Sequence, residues 1–479
     1  VFPLILSIMC AGLLLGVVFC QPALLDAERL VRIVASAWLC AGLASSVIGL
    51  FQYFGAAQGF APWFNQARYG EAFANLRQRN QFASLTNISL AALVWFGMVF
   101  SRHRHLFEAR QARNGQMLMV MAAILLACGN ATSVSRTGML QLLLLCVLCG
   151  LWGQWRSGLV RWILVAAVLA YAVSVVALPR LAGFDLALYS LGGRLESGDP
   201  LCVNRLTLWS NVLDLIALKP WSGWGWGELD YAHYVTLFDG PRFCQILDNA
   251  HNLPLQLAVE LGVPFAVLVC TGFVFWMVRK KPWRETDPRR QMAWSAMAVI
   301  LLHSMVEYPL WYGPFQIAFL LCIALLYGRS ATPSVTGLGI RWGLYTRAVL
   351  AMLSLALLAA AAYAAWDYRR ISQIYLPQEA REAAYRTDTL AKISDSWLFA
   401  DQVMFAHLLI TPLSRENAAW TFETARTLLH YSPEPRIAEK IIESAVMLGR
   451  DEETQIQIAR YRAAFPKEYA LWKSAIKAN

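Results

Sequence analysis

Stretches of apolar residues, each bounded by polar or charged residues, divide the first three quarters of the chain. A helix that crosses a bilayer needs about 20 mostly apolar residues, so these stretches predict membrane spans. The predicted spans are 1–20, 31–52, 82–100, 117–130, 137–152, 159–178, 254–278, 290–304, 309–328 and 345–366. The fourth, fifth and eighth are short for a span. The pattern predicts an all-α, polytopic membrane protein.

The last quarter of the chain instead has small and apolar residues at helical spacing between charged ones. Residues 416–474 predict three helices, which are separated by Pro433 and Pro435, ended by Gly449 and stopped before Pro466. Helix pairs of this length suggest a tetratricopeptide-like domain. The predicted regions are N-terminal transmembrane helices (1–178), an extramembrane loop (179–253), C-terminal transmembrane helices (254–366) and a small helical domain (367–479).

Composition agrees with a membrane protein, because 58% of the 479 residues are hydrophobic and only 15% are charged. Ordinary soluble domains are about 25% charged. The net charge of +10 comes from basic residues in short loops between predicted spans. That is the positive-inside pattern, so no nucleic-acid partner is expected and the partner surface is the lipid bilayer. The basic loops, predicted to be cytoplasmic, are 101–116, 153–162, 279–290 and 329–347.

The opposite, outer side then holds residues 53–81, the turn near Ser133–Arg136, the 179–253 loop, the Glu307-Tyr308-Pro309 turn and everything after 367. Val1 also falls there, which implies at least one further span upstream if the natural N-terminus is cytoplasmic. A disulfide between Cys202 and Cys244 would tie the ends of the loop together on an oxidising side. No CxxC pair or His-rich ligand spacing is present, so a metal site has little support, and no cofactor is predicted.

The stretch Asp248–Gly262 joins the long polar loop to the predicted span 254–278. Pro254 suits the first turn of a helix, where its missing N–H is not needed. A helix N-terminus attracts phosphates and carboxylates, so Asn252 is a candidate contact for the substrate. A neutral imidazole at His251 could accept a proton from an incoming hydroxyl. A plain polar helix cap at the membrane interface is the alternative.

Two further polar clusters precede predicted spans. Asn80 and Gln81 could hydrogen-bond sugar hydroxyls or a phosphate, whereas Arg79 beside them is either a ligand contact or an interfacial anchor. Arg136 lies on the outer side against the positive-inside trend and needs an anion nearby. A phosphate or pyrophosphate matches its fork geometry; a salt bridge to Glu260 or Glu307 is the alternative.

The outer loop and the turn at 307–309 add the remaining candidates. Arg205 and Trp209 are one helical turn apart and would face the same way. Trp224 lies in an alternation of Trp and Gly that could stack on sugar rings, with glycines admitting close approach, or could lie in the headgroup layer. Glu307 and Tyr308 could orient an imidazole or a hydroxyl substrate, or form a polar turn with an interfacial tyrosine.

These residues resemble a known family. Ala250-His251-Asn252 with Glu260-Leu261-Gly262, preceded by Arg205…Trp209 and Pro220…Gly223-Trp224-Gly225, is similar to the O-antigen ligase/polymerase (Wzy_C) superfamily. Arg79-Asn80-Gln81 before a span and His303…Glu307-Tyr308-Pro309-Leu310, with a helical C-terminal domain, resemble the bacterial PglL/PilO-type protein O-oligosaccharyltransferases.

The resemblance implies a GT-C-like glycosyltransferase in the inner membrane of a Gram-negative bacterium, with its active site facing the periplasm. Such enzymes move a glycan en bloc from undecaprenyl pyrophosphate to a Ser or Thr hydroxyl of a periplasmic protein, commonly a pilin, without nucleotide sugar or metal. The family's essential histidine corresponds to His251 and its tyrosine to Tyr308. Its phosphate-binding arginines correspond to Arg136 and Arg205.

Two other functions remain open. An O-antigen ligase or polymerase would use the same donor with a sugar acceptor, and the helical C-terminal domain favours a protein acceptor over this reading. A transporter or assembly scaffold would place charged residues within spans along a path to the cytoplasm. Here the polar residues concentrate on one side of the membrane, which favours chemistry at that side.

Overall fold

The computed structural model describes residues 27–184, 204–327 and 337–478, which are helical with no β-strand in those ranges. The all-α prediction is confirmed. The α-helices are α1 (Ala27–Tyr53), α2 (Arg79–His103), α3 (Ala109–Thr132), α4 (Arg136–Leu151), α5 (Gly158–Leu181), α6 (Arg205–Leu218), α7 (Leu229–Val235), α8 (Leu253–Leu261), α9 (Val263–Lys280), α10 (Pro288–Ser304), α11 (Gly313–Tyr327), α12 (Gly337–Ser372), α13 (Thr389–Ile393), α14 (Ala400–Ile410), α15 (Ala418–Leu428), α16 (Pro435–Met447), α17 (Asp451–Ala464) and α18 (Pro466–Ala478).

Six segments of the described chain are long and apolar enough to cross a membrane, and they fall in α1, α2, α3, α5, α9 and α12. The chain is therefore a multi-pass membrane protein. The predicted spans 137–152, 290–304 and 309–328 correspond to α4, α10 and α11, which have only 16, 17 and 15 residues. The predicted span 1–20 lies outside the described residues.

The predicted span 254–278 is wrong as a single helix. The structure divides it into α8 and α9 at Gly262, which has a φ of 89°. A Cβ at Gly262 would lie 2.2 Å from the carbonyl oxygen of Trp221, so only glycine fits this close approach. Pro264, two residues later, has no N–H to continue the hydrogen bonding of the preceding helix. The break places Glu260 outside the membrane-length helix.

The described residues form two compact units. The bundle unit consists of 27–184, 273–327 and 337–355, and the loop–tail unit consists of 204–272 and 356–478. Within the bundle unit, α2 packs against α1, α3, α4, α5 and α10. Its polar residues Ser84, Asn87 and Ser89 are buried. This is expected, because inside a bilayer the hydrophobic effect does not drive helices together, and small and hydrogen-bonding side chains do so instead.

In the loop–tail unit, the sequence of the tail predicted the helices well. α15, α16 and α17 begin and end close to the predicted breaks at Pro433, Pro435, Gly449 and Pro466, and successive helices pack on one another. α14 and α18 extend this series and were not predicted. Cys244 is disulfide-bonded, whereas its predicted partner Cys202 lies outside the described residues.

The short loop helix α7 packs into the tail within this same unit. Tyr234 is 2% exposed and belongs to the hydrophobic core that α14–α17 form. Arg460 donates from Nε to the carbonyl oxygen of Val235 at 3.1 Å. His430 lies 2.7 Å from a Glu228 carboxylate oxygen and stacks on Tyr231 with ring centroids 3.7 Å apart. The tail core is thus completed by a helix from the loop.

Candidate active site

Three helices that carry predicted site residues begin in the same way. The residue before the N-cap has a positive φ, the N-cap is extended, and its side chain accepts a hydrogen bond from the third helical N–H. At α2 the positive-φ residue is Arg77 (60°), and the N-cap Gln78 accepts from the Gln81 N–H at 2.6 Å. At α4 it is Val134 (48°), and Ser135 accepts from the Gly138 N–H at 3.0 Å. At α8 it is His251 (50°), and Asn252 accepts from the Leu255 N–H at 3.1 Å. A non-glycine residue in the left-handed backbone region costs about 1–3 kcal/mol, so contacts with neighbouring residues must stabilise that conformation.

The backbone around His251 is held by buried side chains of the loop–tail unit. Asn249 Oδ1 accepts from the His251 N–H at 2.9 Å. Gln256 Oε1 accepts from the Ala250 N–H at 2.6 Å, and the Trp209 indole N–H donates to the Ala250 carbonyl at 3.0 Å. Ala250 is fully buried and His251 is half-buried. The sequence did not identify Gln256, because a glutamine inside an apolar helix gives no sign of its partner.

The alternation of Trp and Gly at residues 221–227 caps the C-terminal end of α8. The backbone N–H groups of Trp224 and Gly225 donate to the carbonyls of Val259 and Glu260, at 2.9 Å each. A Cβ at Gly223 would lie 2.3 Å from the Glu260 carbonyl oxygen. These glycines therefore allow close approach of two backbones in the protein.

Trp224 and Arg205 have clear local environments. The Trp224 indole donates to the Leu215 carbonyl at 2.9 Å, and Lys219 Nζ lies 4.0 Å from its ring centroid. Trp224 therefore packs in the loop core, and its role in sugar binding stays a prediction. Arg205 is the first residue of α6, one helical turn before Trp209, so the predicted spacing is found on a real helix.

Two carboxyl groups of the loop–tail unit have raised pKa values. Burial raises the pKa of Glu260 to about 7, although its Oε1 accepts from the Gly227 N–H at 2.9 Å, and nearby Asp230 and Glu228 raise it further. Glu260 Oε2 is buried without a hydrogen-bond partner among the described residues. Burial likewise raises the pKa of Asp230 to about 7, with Glu228 and Asp248 as further causes.

In the bundle unit, Asn80 joins three predicted elements. The Ser135 hydroxyl donates to Asn80 Oδ1 at 2.6 Å, and Asn80 Nδ2 donates to Glu307 Oε1 at 3.0 Å. Glu307 is 7% exposed. Asn80 thus fixes the start of α4 and the Glu307 carboxylate at once, which the sequence could not show because 227 residues separate Asn80 from Glu307.

The other predicted residues of the bundle unit lie around this network. Arg136 is the first residue of α4; its side chain is exposed and makes no ion pair with any described residue, which disfavours the alternative of a salt bridge to Glu307. Tyr308 stacks on Tyr312 with ring centroids 5.7 Å apart. Arg79 Nη1 lies 3.9 Å from a Glu71 carboxylate oxygen. A small cavity is lined by Gln78, Gln81, His303, Glu307, Tyr308, Pro309 and Tyr312.

A buried polar network behind that cavity was missed by sequence reasoning. Ser84 Oγ lies 2.9 Å from His303 Nδ1 and accepts from Gln141 Nε2 at 2.7 Å. Asn87 Nδ2 donates to Gln141 Oε1 at 3.2 Å. The available signal was the spacing of Ser84 and Asn87, three residues apart on one face of an apolar helix.

The predicted site residues therefore fall into two groups. His251, Asn252, Arg205 and Trp224 lie in the loop–tail unit, and Arg79, Asn80, Gln81, Arg136, Glu307 and Tyr308 lie in the bundle unit. In the ranges that the structure describes, no three His, Cys, Asp or Glu side chains are grouped to hold a metal ion. The available chemistry is that of an imidazole, carboxylates, hydroxyls and arginines.

Three family descriptions match consecutive parts of the chain. Residues 72–96 match "Protein glycosylation ligase", residues 121–270 match "O-Antigen ligase", and residues 291–479 match "Virulence factor membrane-bound polymerase, C-terminal". The first covers Arg79, Asn80 and Gln81, the second covers Arg136, Arg205 and His251, and the third covers Glu307 and Tyr308.

Two proteins of Acinetobacter baylyi are similar to this chain. One, named "ComP-specific O-oligosaccharyltransferase", is 24% identical over 275 residues, which are 57% of this chain and 46% of that protein. The other, named "General O-oligosaccharyltransferase", is 28% identical over 134 residues, which are 28% of this chain and 22% of that protein. The matches thus span less than half the length of these relatives. No solved structure matches the chain.

Proposed function

We propose that this chain, which belongs to the O-antigen ligase (Wzy_C) superfamily and to its PglL type, is a protein O-oligosaccharyltransferase. It transfers an oligosaccharide en bloc from undecaprenyl pyrophosphate to a Ser or Thr hydroxyl of an acceptor protein such as a pilin. The reaction takes place at the periplasmic face of the inner membrane. The observation that carries the proposal is the imidazole of His251 on a held, left-handed backbone at the start of α8.

The chemistry needs little beyond positioning, because a sugar linked to pyrophosphate is already activated. The acceptor oxygen bonds to the anomeric carbon while the bond from that carbon to the pyrophosphate oxygen breaks. His251 accepts the hydroxyl proton, and the electron pair leaves with the pyrophosphate, which Arg136 and Arg205 stabilise. Arg136 fits this role because it has no anionic partner of its own among the described residues.

The other predicted residues orient the substrates in this proposal. Glu307, held by Asn80, and Tyr308 position the acceptor hydroxyl. Arg79, Asn80, Gln81, Asn252 and Trp224 contact the donor glycan or its phosphates.

The test is transfer from a lipid-linked oligosaccharide to a candidate pilin in proteoliposomes, read by intact-protein mass. His251→Ala should lose about 10²–10⁴-fold in rate, the usual contribution of a general base. The matched control is His407→Ala, which removes a tail imidazole whose ring centroid lies 4.8 Å from that of Trp420. Near-wild-type transfer by His251→Ala would rule out its role as the base.

A ligase or polymerase with a sugar acceptor is the second candidate, favoured by one observation. The region that includes the tail matches a family described as a membrane-bound polymerase, so the tail alone does not decide between acceptors. Offering the same donor with a lipid A core or a second repeat unit separates the two. Transfer to the sugar and none to the pilin would select this alternative.

A further inference from the structure

The peptide between Ala250 and His251 is held at both ends by side chains. Its carbonyl oxygen accepts from the Trp209 indole N–H at 3.0 Å, and its N–H donates to Asn249 Oδ1 at 2.9 Å. The preceding N–H, that of Ala250, donates to Gln256 Oε1 at 2.6 Å. Gln256 is 1% exposed and Asn249 is 3% exposed, so water does not compete freely for these bonds.

These bonds oppose the relaxation that the strained backbone would otherwise favour. Rotating the 250–251 peptide by about half a turn would move His251 out of the left-handed region, where its φ is 50°. The same rotation would turn the carbonyl away from Trp209 and the N–H away from Asn249. A left-handed non-glycine residue persists only where its surroundings over-determine it, and these side chains provide that restraint.

We propose that Trp209 and Gln256 are positioning residues that hold this backbone and thereby aim the His251 imidazole at the acceptor hydroxyl. The inference rests on the proposed role of His251 as the base. Neither side chain needs to touch a substrate. Each acts through Ala250, whose buried backbone transmits the restraint to the next residue.

Trp224 provides a comparison for Trp209, because its indole makes a similar hydrogen bond in the same core without contacting the backbone next to His251. Trp224 also donates its indole N–H to a backbone carbonyl, that of Leu215, at 2.9 Å. Leu215 O lies in the last turn of α6 and also accepts from the backbone N–H of Lys219 at 3.3 Å, so the Trp224 bond is an added contact at an ordinary helix end. The Trp209 bond instead ends beside the strained residue, so its loss should change the geometry of His251 as well as stability.

The experiment compares Trp209→Phe and Gln256→Met, which remove one hydrogen-bonding group each, in the proteoliposome transfer assay. We expect kcat to fall about 10- to 100-fold, since a displacement of about 1 Å at a reacting group can cost 10²-fold. KM for donor and acceptor should stay within about threefold. In the His251→Ala background the same substitutions should cost little further, because they act only through the imidazole, whereas a purely structural defect would slow both backgrounds equally.

Two controls remove similar groups elsewhere in the loop–tail unit. Trp472→Phe loses an indole N–H that donates to Glu443 Oε1 at 3.1 Å. Asn211→Leu loses a buried amide that bonds Pro241 O and the Phe243 N–H. Both should lower the melting temperature while keeping kcat per folded protein. If Gln256→Met does not fold, Gln256→Asn keeps the amide but is too short to reach Ala250, and we expect the same loss of kcat.

The outcomes separate the inference from the proposed function. If His251→Ala abolishes transfer but Trp209→Phe and Gln256→Met behave like the controls, the positioning role is overturned and the proposed function stands. If His251→Ala itself keeps transfer, the role of the base fails first. A loss of kcat that is equally large in the His251→Ala background would also overturn the positioning role.

Discussion

The helices α4 and α8 begin with the same backbone conformation but present their functional side chains at different places. At α4 the left-handed residue is Val134, and the candidate residue Arg136 is the first residue of the helix. At α8 the left-handed residue is itself the candidate, His251, and the first helical residue is the apolar Leu253.

The difference indicates that the same N-terminal backbone conformation supports two different roles. An arginine at the first position opposes the positive end of the helix dipole and costs stability unless an anion is present. The start of α4 therefore suits a bound phosphate. The start of α8 restrains an imidazole through its own backbone, which suits proton transfer in a fixed direction.

The largest expected effect is on donor binding at α4. Arg136→Glu should weaken binding of the lipid-linked pyrophosphate by on the order of 100-fold or more, because a charge contact becomes repulsive. Arg136→Ala should weaken binding less, yet raise the free energy of unfolding without donor by about 0.3–1 kcal/mol through the helix dipole. Donor titration and thermal unfolding measure these effects.

Arg104→Glu is the control for that change, because Arg104 is exposed in a basic loop and should leave donor affinity unaltered. Equal loss of affinity in both variants would mean that overall charge, and not the start of α4, attracts the donor.

The next largest effect is a pH dependence of stability, which we expect in the unit that contains α8 and not in the unit that contains α4. The raised pKa of Glu260, about 7 against an ordinary 4.5, means that the folded state favours the protonated acid. Its contribution to stability is complete below about pH 4.5 and is lost as the pH rises through about 7, on the order of 2 kcal/mol. Glu260→Gln, which keeps an acceptor for the Gly227 N–H, should reduce the loss of free energy of unfolding of the loop–tail unit between pH 5 and 8. The share that Asp230 contributes, with its pKa also raised to about 7, should remain.

Glu307→Gln provides the comparison in the bundle unit, because Asn80 already donates to that carboxylate. It should leave the pH dependence of the loop–tail unit unchanged. A wild-type unfolding curve that shows no loss of stability from pH 5 to 8 would contradict the buried-acid account.

Relief of backbone strain should change stability by a smaller amount, and by a different amount at the N-terminus of α4 than at that of α8. Val134→Gly should stabilise the bundle unit by about 1 kcal/mol, because a β-branched residue is a poor occupant of the left-handed region. His251→Gly should stabilise the loop–tail unit less, since His tolerates that region better than Val. Differential scanning calorimetry in detergent tests the order. Ala131→Gly, within α3, should destabilise by up to about 1 kcal/mol, and a similar loss in Val134→Gly would refute strain there.

The smallest expected difference concerns the caps. Asn252→Ala should cost about 1 kcal/mol, the usual loss for an N-cap. Ser135→Ala should cost about 1 kcal/mol more, because Ser135 also donates to Asn80 and its loss leaves a partly buried acceptor short of a partner. Chemical denaturation of both variants gives the comparison. Equal costs would show that the bond to Asn80 adds no stability.

The sequence predicted those features that depend on local chemistry. Pro254 and Asn252 marked the start of α8, and Pro433, Pro435 and Gly449 marked the tail helices, because caps and breakers act within one turn. The same local reasoning missed the break at Gly262, although Gly262 and Pro264 were visible, since the hydrophobic run 254–278 outweighed them.

Contacts between distant residues were beyond such reasoning. Nothing in the sequence connects Asn80 with Glu307, Trp209 with Ala250, or Ser84 with His303, because each bond depends on how helices pack. The glycines around Trp224 show the same limit, since a glycine that admits a ligand and one that admits another backbone read identically in a sequence.

The packing of α7 into the tail core has a consequence for chimaeras between related proteins. Tyr234 belongs to the hydrophobic core of the tail, and Arg460 bonds the end of α7. A transplanted tail would leave that core open unless the matching loop helix travelled with it. Residues 229–235 and 400–478 therefore form one structural unit from two separate segments of sequence, and a domain exchange should transfer both segments together.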